Sequence, residues 1–282
     1  MTKPTLMTMN TLFALYEAEC VPELEPRTQR DYRSILGVLR HHFGHLEPQA
    51  VRPKHVAEFI NVKKGRIHRN RMVTILSTVF KKAMGRWCLD LDLTNPCTVI
   101  ERWPTRPRDR YVTDAEFWAV HAMACPQVQI AMELALLLGQ RQGDIVGLTW
   151  KQVDTVGLDR AAWAICVDQG KTGKKLAIGV SEAVEKVLIR ARGLSPQFPH
   201  EYVIRTREGK RYTPDGFRAL WQRTMRKYAK SGASRYHFHD IRAKSISDNE
   251  SLDDAYLLAG HIDIKMTRRV YDRNRRRVEP LR

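Results

Sequence analysis

Apolar side chains recur at spacings of three, four and seven through the first hundred residues. They fall at Leu12, Leu15 and Tyr16, at Tyr32, Leu36, Leu39 and Phe43, at Val56, Phe59 and Ile60, and at Met72, Ile75, Leu76, Val79 and Phe80. Each group marks one face of an amphipathic helix, and such faces need one another for burial. Gly44, Pro48, Pro53 and Gly65 punctuate the groups. The pattern predicts a bundle of about four short helices.

The second half changes period. Thr113-x-x-Glu116 before Phe117 is a capping box that opens a new helix. The stretch from Pro126 to Leu138 is apolar enough for a buried central helix. Trp163, Ile165 and Val167 alternate, a Gly170-Lys171-Thr172-Gly173 turn follows, and Leu176, Ile178 and Val180 alternate again, which predicts a β-hairpin. Tyr202-Val203-Ile204 is expected to add a short strand before helical patterns resume. No internal repeat is visible.

Between the two halves, helical periodicity lapses from Asn95-Pro96 to Arg110. Prolines disfavour helix around Pro104 and Pro107, so residues 102–110 read as a basic linker between a domain over 1–101 and one over 111–282. Such a segment suits either a strand laid across a duplex, through Arg106 and Arg108, or a plain exposed spacer.

Charge narrows the partners. The 282 residues carry 48 Lys plus Arg against 31 Asp plus Glu, a net +17, which draws a protein to polyanions through counterion release. Nucleic acid leads; an anionic membrane surface follows. The run Lys63-Lys64-Gly65-Arg66-Ile67-His68-Arg69-Asn70-Arg71, placed between helices, is either a solvated helix end or a DNA-backbone contact through Lys63, Lys64, Arg66, Arg69 and Arg71. No stretch approaches ~18 consecutive apolar residues, so no transmembrane helix is expected, and the N-terminus does not read as a signal peptide. Five scattered cysteines without a CxxC pair suggest reduced, mostly buried thiols in the cytoplasm. His41-His42 with His45, and His237-x-His239, lack a Cys or carboxylate at zinc-ligand spacing, so no metal and no cofactor are expected.

Five segments of the second half hold two arginines, two histidines, a lysine and a tyrosine: Gly139-Gln140-Arg141-Gln142-Gly143-Asp144, the turn with Lys171, Phe238-His239-Asp240-Ile241-Arg242, Leu258-Ala259-Gly260-His261, and Val270-Tyr271. These types suit attack on a phosphodiester. Guanidinium groups hold the negative charge of its transition state, a lysine can protonate a leaving alkoxide, a histidine can move a proton, and a phenol oxygen can attack. No acidic cluster for Mg²⁺ is evident, so arginines would stand in its place. Taken singly each is commonplace: Arg141 as a helix-end cap, Lys171 as an exposed turn lysine, His239 and Arg242 as a surface pair, His261 as a C-cap, Tyr271 as a packing residue.

Their joint order resembles the tyrosine recombinases of the phage integrase type. GQRQGDIVGLTW is similar to the first arginine box, KTGKKLAIGVS to the β-hairpin lysine segment, FHDIR to the His-x-x-Arg box, LAGH to the Gly-His box, and VYDR to the nucleophile position, all in family order between about 111 and 276. Three departures stand out. Ala259 replaces the usual leucine before Gly-His, Ile241 replaces a leucine, and Tyr271 lies ten residues after His261 where nine is usual. The added residue turns a helix by ~100°, to be absorbed in a loop or bulge.

The resemblance implies a multi-domain protein: an all-α core-binding N-terminal domain plus a mixed α+β catalytic domain, mostly helical with a small antiparallel sheet, forming a C-shaped clamp on DNA. It implies that Arg141 and Arg242 grip the scissile phosphate and that Lys171 is the general acid on the 5′ oxygen. His239 would act as acid/base toward the tyrosine, His261 would hydrogen-bond the phosphate, and Tyr271 would form a 3′-phosphotyrosyl intermediate. Site-specific strand exchange through a Holliday junction follows, by a tetramer on paired double-stranded sites, with accessory DNA-bending proteins as further partners, in a cytoplasmic protein associated with the nucleoid. The setting is integration or excision of a mobile element, or Xer-like resolution of multimers; a type IB topoisomerase and a DNA-binding regulator without chemistry are the rivals. The core-binding helices are expected to begin by about Thr8, without room for a further arm-binding domain. The basic tail through Arg273, Arg275, Arg276 and Arg277 docks on a neighbour, touches DNA, or frays.

Overall fold

Helix α1 (Met9–Glu19), α2 (Pro26–Phe43), α3 (Pro53–Asn61) and α4 (Arg66–Met84) make up the first part of the chain in a computed structural model that describes residues 7–62, 65–88, 93–105, 108–153, 163–170, 172–194, 200–249 and 251–260. Prolines sit in the first turns of α2 and α3, where a missing N–H costs nothing, and glycines follow α2 and precede α4. The chain divides into two compact units, Met1–Arg106 and Pro107–Arg282.

The first unit buries the stripes expected of it. Leu12 and Tyr16, Leu36, Leu39 and Phe43, Val56, Phe59 and Ile60, and six side chains of α4 from Met72 to Phe80 form one core. Met9, Phe13 and Ile35 join them, whereas Leu15 lies at the edge. His42 meets Phe59 in a tilted ring contact with centroids 4.6 Å apart, so this histidine packs α2 on α3. Two of the expected features shift. Arg66–Arg71 open α4 as its first turns rather than joining two helices. Residues 102 and 103 dock on that helix: the Asn70 side chain donates to the Trp103 carbonyl at 2.8 Å and accepts from its N–H at 3.0 Å, while Arg102 donates to the Asn70 carbonyl.

In the second unit α5 (Asp114–Met123) begins with the Thr113/Glu116 capping box, and α6 (Pro126–Leu138) is buried on nearly all sides. The latter packs against α11 (Phe238–Ser247), α9 (Glu182–Gly193), α7 (Gln142–Val146) and α5. The short α8 (Trp150–Val153) leads toward β1 (Ala164–Asp168), which pairs antiparallel with β2 (Lys175–Gly179), Cys166 opposite Ala177. Ile165 and Val167 face the core, as alternation demands. The remaining helices are α10 (Pro214–Ala229) and α12 (Leu252–Ala259). Tyr202–Ile204 does not form a strand; Tyr202 makes a lone bridge with Thr149. Among the cysteines, Cys20 and Cys97 are buried but Cys88 and Cys166 are exposed, contrary to the expectation of mostly buried thiols. Burial pushes the Cys97 thiol up to about 12, which leaves it inert. Among the described residues, no helix is long and apolar enough to cross a membrane.

Candidate active site

Two helices stop at the same place. Helix α6 ends at Gly139 and α12 at Gly260, both in the left-handed conformation with φ of 60°, a geometry that glycine adopts without the penalty a Cβ brings. The two stops abut: a Cβ on Gly139 would lie 3.0 Å from the Leu258 side chain. Helix C-termini carry unpaired carbonyls and partial negative charge, so their meeting invites a cation.

Arg242 is that cation. It stands on α11, which packs on both helices, and its side chain is 1% exposed. Nη1 donates to the Gly139 carbonyl at 2.6 Å and Nη2 to the Ala259 carbonyl at 2.7 Å. The planar fork of a guanidinium can bridge two such acceptors; an ammonium cannot do so in the same way. His239 lies one turn earlier on the helix and is exposed. Between them Asp240 is buried, accepting from the His237 N–H at 2.8 Å and from Arg108 Nε at 3.0 Å.

Arg141 lies two residues past the Gly139 stop and forms the N-cap of α7. Its Nη1 donates to Gln169 Oε1 at 2.9 Å and lies 4.0 Å from Asp144 Oδ2. The other oxygen of Asp144 accepts from the Gly170 N–H at 3.1 Å, which ties the hairpin turn to the arginine box. Gln140 and Gln169, each 1% exposed, complete the connection. Gln169 Nε2 donates to Gln140 Oε1 and to the Ala259 carbonyl, and Gln140 Nε2 donates to the Leu138 and Leu258 carbonyls. Sequence reasoning missed both glutamines, because a polar residue beside a glycine or a turn reads as solvent-facing.

Beyond Arg242, Lys244 is equally buried. Its ammonium reaches Asp248 at 2.6 Å, Asp114 at 2.7 Å and Tyr111 Oη at 3.3 Å. Burial alone would lower its pKa, but the hydrogen bonds it donates to Asp114, Asp248 and Tyr111 outweigh that and hold it above the usual lysine range. Tyr111 is raised by burial and by its bond to Asp248. This cluster also escaped the sequence reading.

Of the residues singled out from sequence, Arg141 and Arg242 thus meet around one pair of helix ends, and His239 stands exposed one turn before Arg242 on α11. Lys171, His261 and Tyr271 lie outside the described residues, although Gly170 and Gly260, which precede the first two, do not. Among the basic residues assigned to DNA, Arg66 is exposed at the start of α4. Arg69 lies 5.0 Å from the Trp103 ring, and Arg71 pairs with Asp31 at 3.2 Å. Arg108 pairs with Asp240 as above; Lys63, Lys64 and Arg106 lie outside the described residues. Among the described residues, no group of three or more His, Cys, Asp or Glu gathers as a metal site would require.

Known proteins share this arrangement of sequence and fold. The integrase of Escherichia phage HK022 is 27% identical over 172 residues, 59% of this chain and 45% of the phage protein, so the match spans less than half of that relative. The integrase of Enterobacteria phage P21 is 24% identical over 274 residues, 89% of this chain and 69% of its own length. A lambda integrase tetramer bound to a Holliday junction has the same fold, with a TM-score of 0.80 at 21% identity over 99% of this chain and 84% of that one. A family model for phage integrases matches residues 120–277, a span that takes in both arginine boxes, the hairpin and the Gly-His box, and the chain belongs to the phage integrase family.

Proposed function

We propose that the protein is a site-specific DNA recombinase that breaks and rejoins strands through a covalent bond between Tyr271 and a 3′ phosphate. The carrying observation is the convergence of Arg141 and Arg242 on one hydrogen-bonded network at the ends of α6 and α12. In this reading the two guanidinium groups stabilise the charge that builds on the scissile phosphate. Lys171, in the turn after Gly170, protonates the departing 5′ oxygen, and His239 exchanges the proton of the attacking phenol. His261, after the α12 stop, hydrogen-bonds the phosphate. One phosphoester replaces another, so rejoining by the freed 5′ hydroxyl needs no ATP.

Residues 1–101 serve as the core-type DNA-binding domain and 111–282 as the catalytic domain, joined by 102–110. Lys63, Lys64, Arg66, Arg69, Arg71, Arg106 and Arg108 contribute to backbone binding. The partner is a duplex carrying a specific site, held by a tetramer on two such sites, and accessory bending proteins assist. Work on DNA places the protein in the cytoplasm. The phage origin of the HK022 and P21 relatives favours integration or excision of a mobile element over resolution of multimers.

The test is covalent capture. Nicked duplexes with a randomised core, in which the cleaved fragment diffuses away, are incubated with the full chain, and strands that stay on protein in denaturant are recovered. Wild type is expected to form the adduct; Tyr271→Phe is expected to bind the same duplex and form none. An undiminished adduct in the variant removes Tyr271 as nucleophile.

A further inference from the structure

Gln169 sits one residue beyond β1 and two before Lys171, where the hairpin turns back. Its backbone closes the turn: the N–H donates to the Lys174 carbonyl and the carbonyl accepts from the Gly173 N–H, both at 2.8 Å. Its side chain leaves the hairpin for the gap between the α6 and α12 stops. There Nε2 donates to Gln140 Oε1 at 2.7 Å and to the Ala259 carbonyl at 3.1 Å. Oε1 accepts from Arg141 Nη1 at 2.9 Å and from Thr172 Oγ1 at 2.7 Å.

All four hydrogen-bonding positions of the amide are occupied, and its orientation is forced. A carbonyl oxygen only accepts, so Ala259 must face the NH₂; a guanidinium only donates, so Arg141 must face the oxygen. A buried amide costs free energy unless satisfied, and a fully satisfied one is rigid. Gly260 fits this side chain closely, since a Cβ there would lie 2.6 Å from Gln169 Nε2. One neutral side chain therefore touches the first arginine, the lysine-bearing turn and the Gly-His junction, while sharing the Ala259 carbonyl with the second arginine.

We propose that Gln169 is a positioning residue of the cleavage site. It sets the plane of the Arg141 guanidinium relative to Arg242. The inference rests on the recombinase reading above. Holding Nη1 at one corner orients the rest of the fork toward the phosphate, and a displacement near 1 Å costs about 100-fold in rate. DNA affinity, by contrast, is spread over many backbone contacts and should barely register the change.

The test uses the full chain and a suicide duplex recovered by wild-type capture from the randomised pool. At saturating duplex, Gln169→Leu is expected to slow adduct formation about 10- to 100-fold, with the Kd for the duplex within about threefold of wild type. In an Arg141→Lys background the same change is expected to cost less than about threefold, because a lysine has no guanidinium plane to set. A purely structural role would slow both backgrounds equally. Equal losses, or a Gln169→Leu protein as fast as wild type, would overturn the proposal. Gln169→Met, unbranched and of similar length, gives the same reading if Gln169→Leu unfolds. Failure of wild type itself to capture any duplex would count against the recombinase reading instead.

Discussion

Arg242 and Gln169 donate to one atom: the carbonyl oxygen of Ala259 receives Nη2 of the arginine at 2.7 Å and Nε2 of the glutamine at 3.1 Å. Through that oxygen the two arginines of the site are separated by one amide. The buried arginine is consequently structural as well as chemical, and the two arginines should respond differently to the same substitution.

Arg242→Lys forfeits both carbonyl bonds in a dry setting and should destabilise the protein by about 3 kcal/mol. Arg141→Lys, at a partly exposed position, should stay within about 1 kcal/mol of wild type. Both are expected to lose adduct formation by about 100-fold or more. Urea unfolding beside single-turnover capture separates the two effects; equal stability losses would refute the structural role of Arg242.

Lys244 predicts an alkaline limit. Its folded pKa is raised above the unfolded value, so the stability it contributes is complete below pH ~10 and is lost as pH rises through the folded pKa. Tyr111, also raised, acts in the same direction. Lys244→Met should cost on the order of 1–3 kcal/mol at pH 8 and flatten the decline between about pH 10 and about 11.5. A variant whose stability falls as steeply as wild type over that range would show that the lysine is not the cause.

Glu116 predicts the opposite limb. Burial would raise its pKa, but the bonds from Arg110 and Thr113 more than offset that and lower it. Its contribution is present above the unfolded value of ~4.3 and lost as pH falls through the folded one. Glu116→Gln should therefore narrow the stability difference between pH 6 and about pH 3, with a ceiling near 1 kcal/mol; thermal melts across that range decide it.

Salt reports on the basic surface. If Arg66, exposed at the start of α4, meets a phosphate, Arg66→Gln should reduce the slope of log affinity against log salt by about 0.9. An unchanged slope would exclude a direct contact for this side chain.

Much of this was legible beforehand, for identifiable reasons. The stripes of α2, α3 and α4 and the Thr113/Glu116 cap are local patterns, and local patterns survive folding with little change. The hairpin was legible because Trp163, Ile165 and Val167, then Leu176, Ile178 and Val180, recur at every second position on either side of a glycine-bearing turn. Arg141, His239 and Arg242 were singled out through their order along the chain. What stayed hidden depends on distant partners. Gln140 and Gln169 become buried only because two helix ends distant in sequence meet, as the bond from Gln140 to Leu258, 118 residues further on, records. Lys244 lies between an alanine and a serine and carries no mark of its three partners. Tyr202–Ile204 looked like a strand, yet only Tyr202 finds a lone bridge, to Thr149.

The 2.6 Å approach between a hypothetical Cβ at Gly260 and the Gln169 amide bears on how this lineage can change. Neither position is free to drift first: an alanine at 260 collides with the amide and strains the backbone, while a shorter residue at 169 abandons Gln140, Ala259 and Arg141 together. Descendants altered at one of these sites should carry a compensating change at the other, so the pair is inherited as a single character.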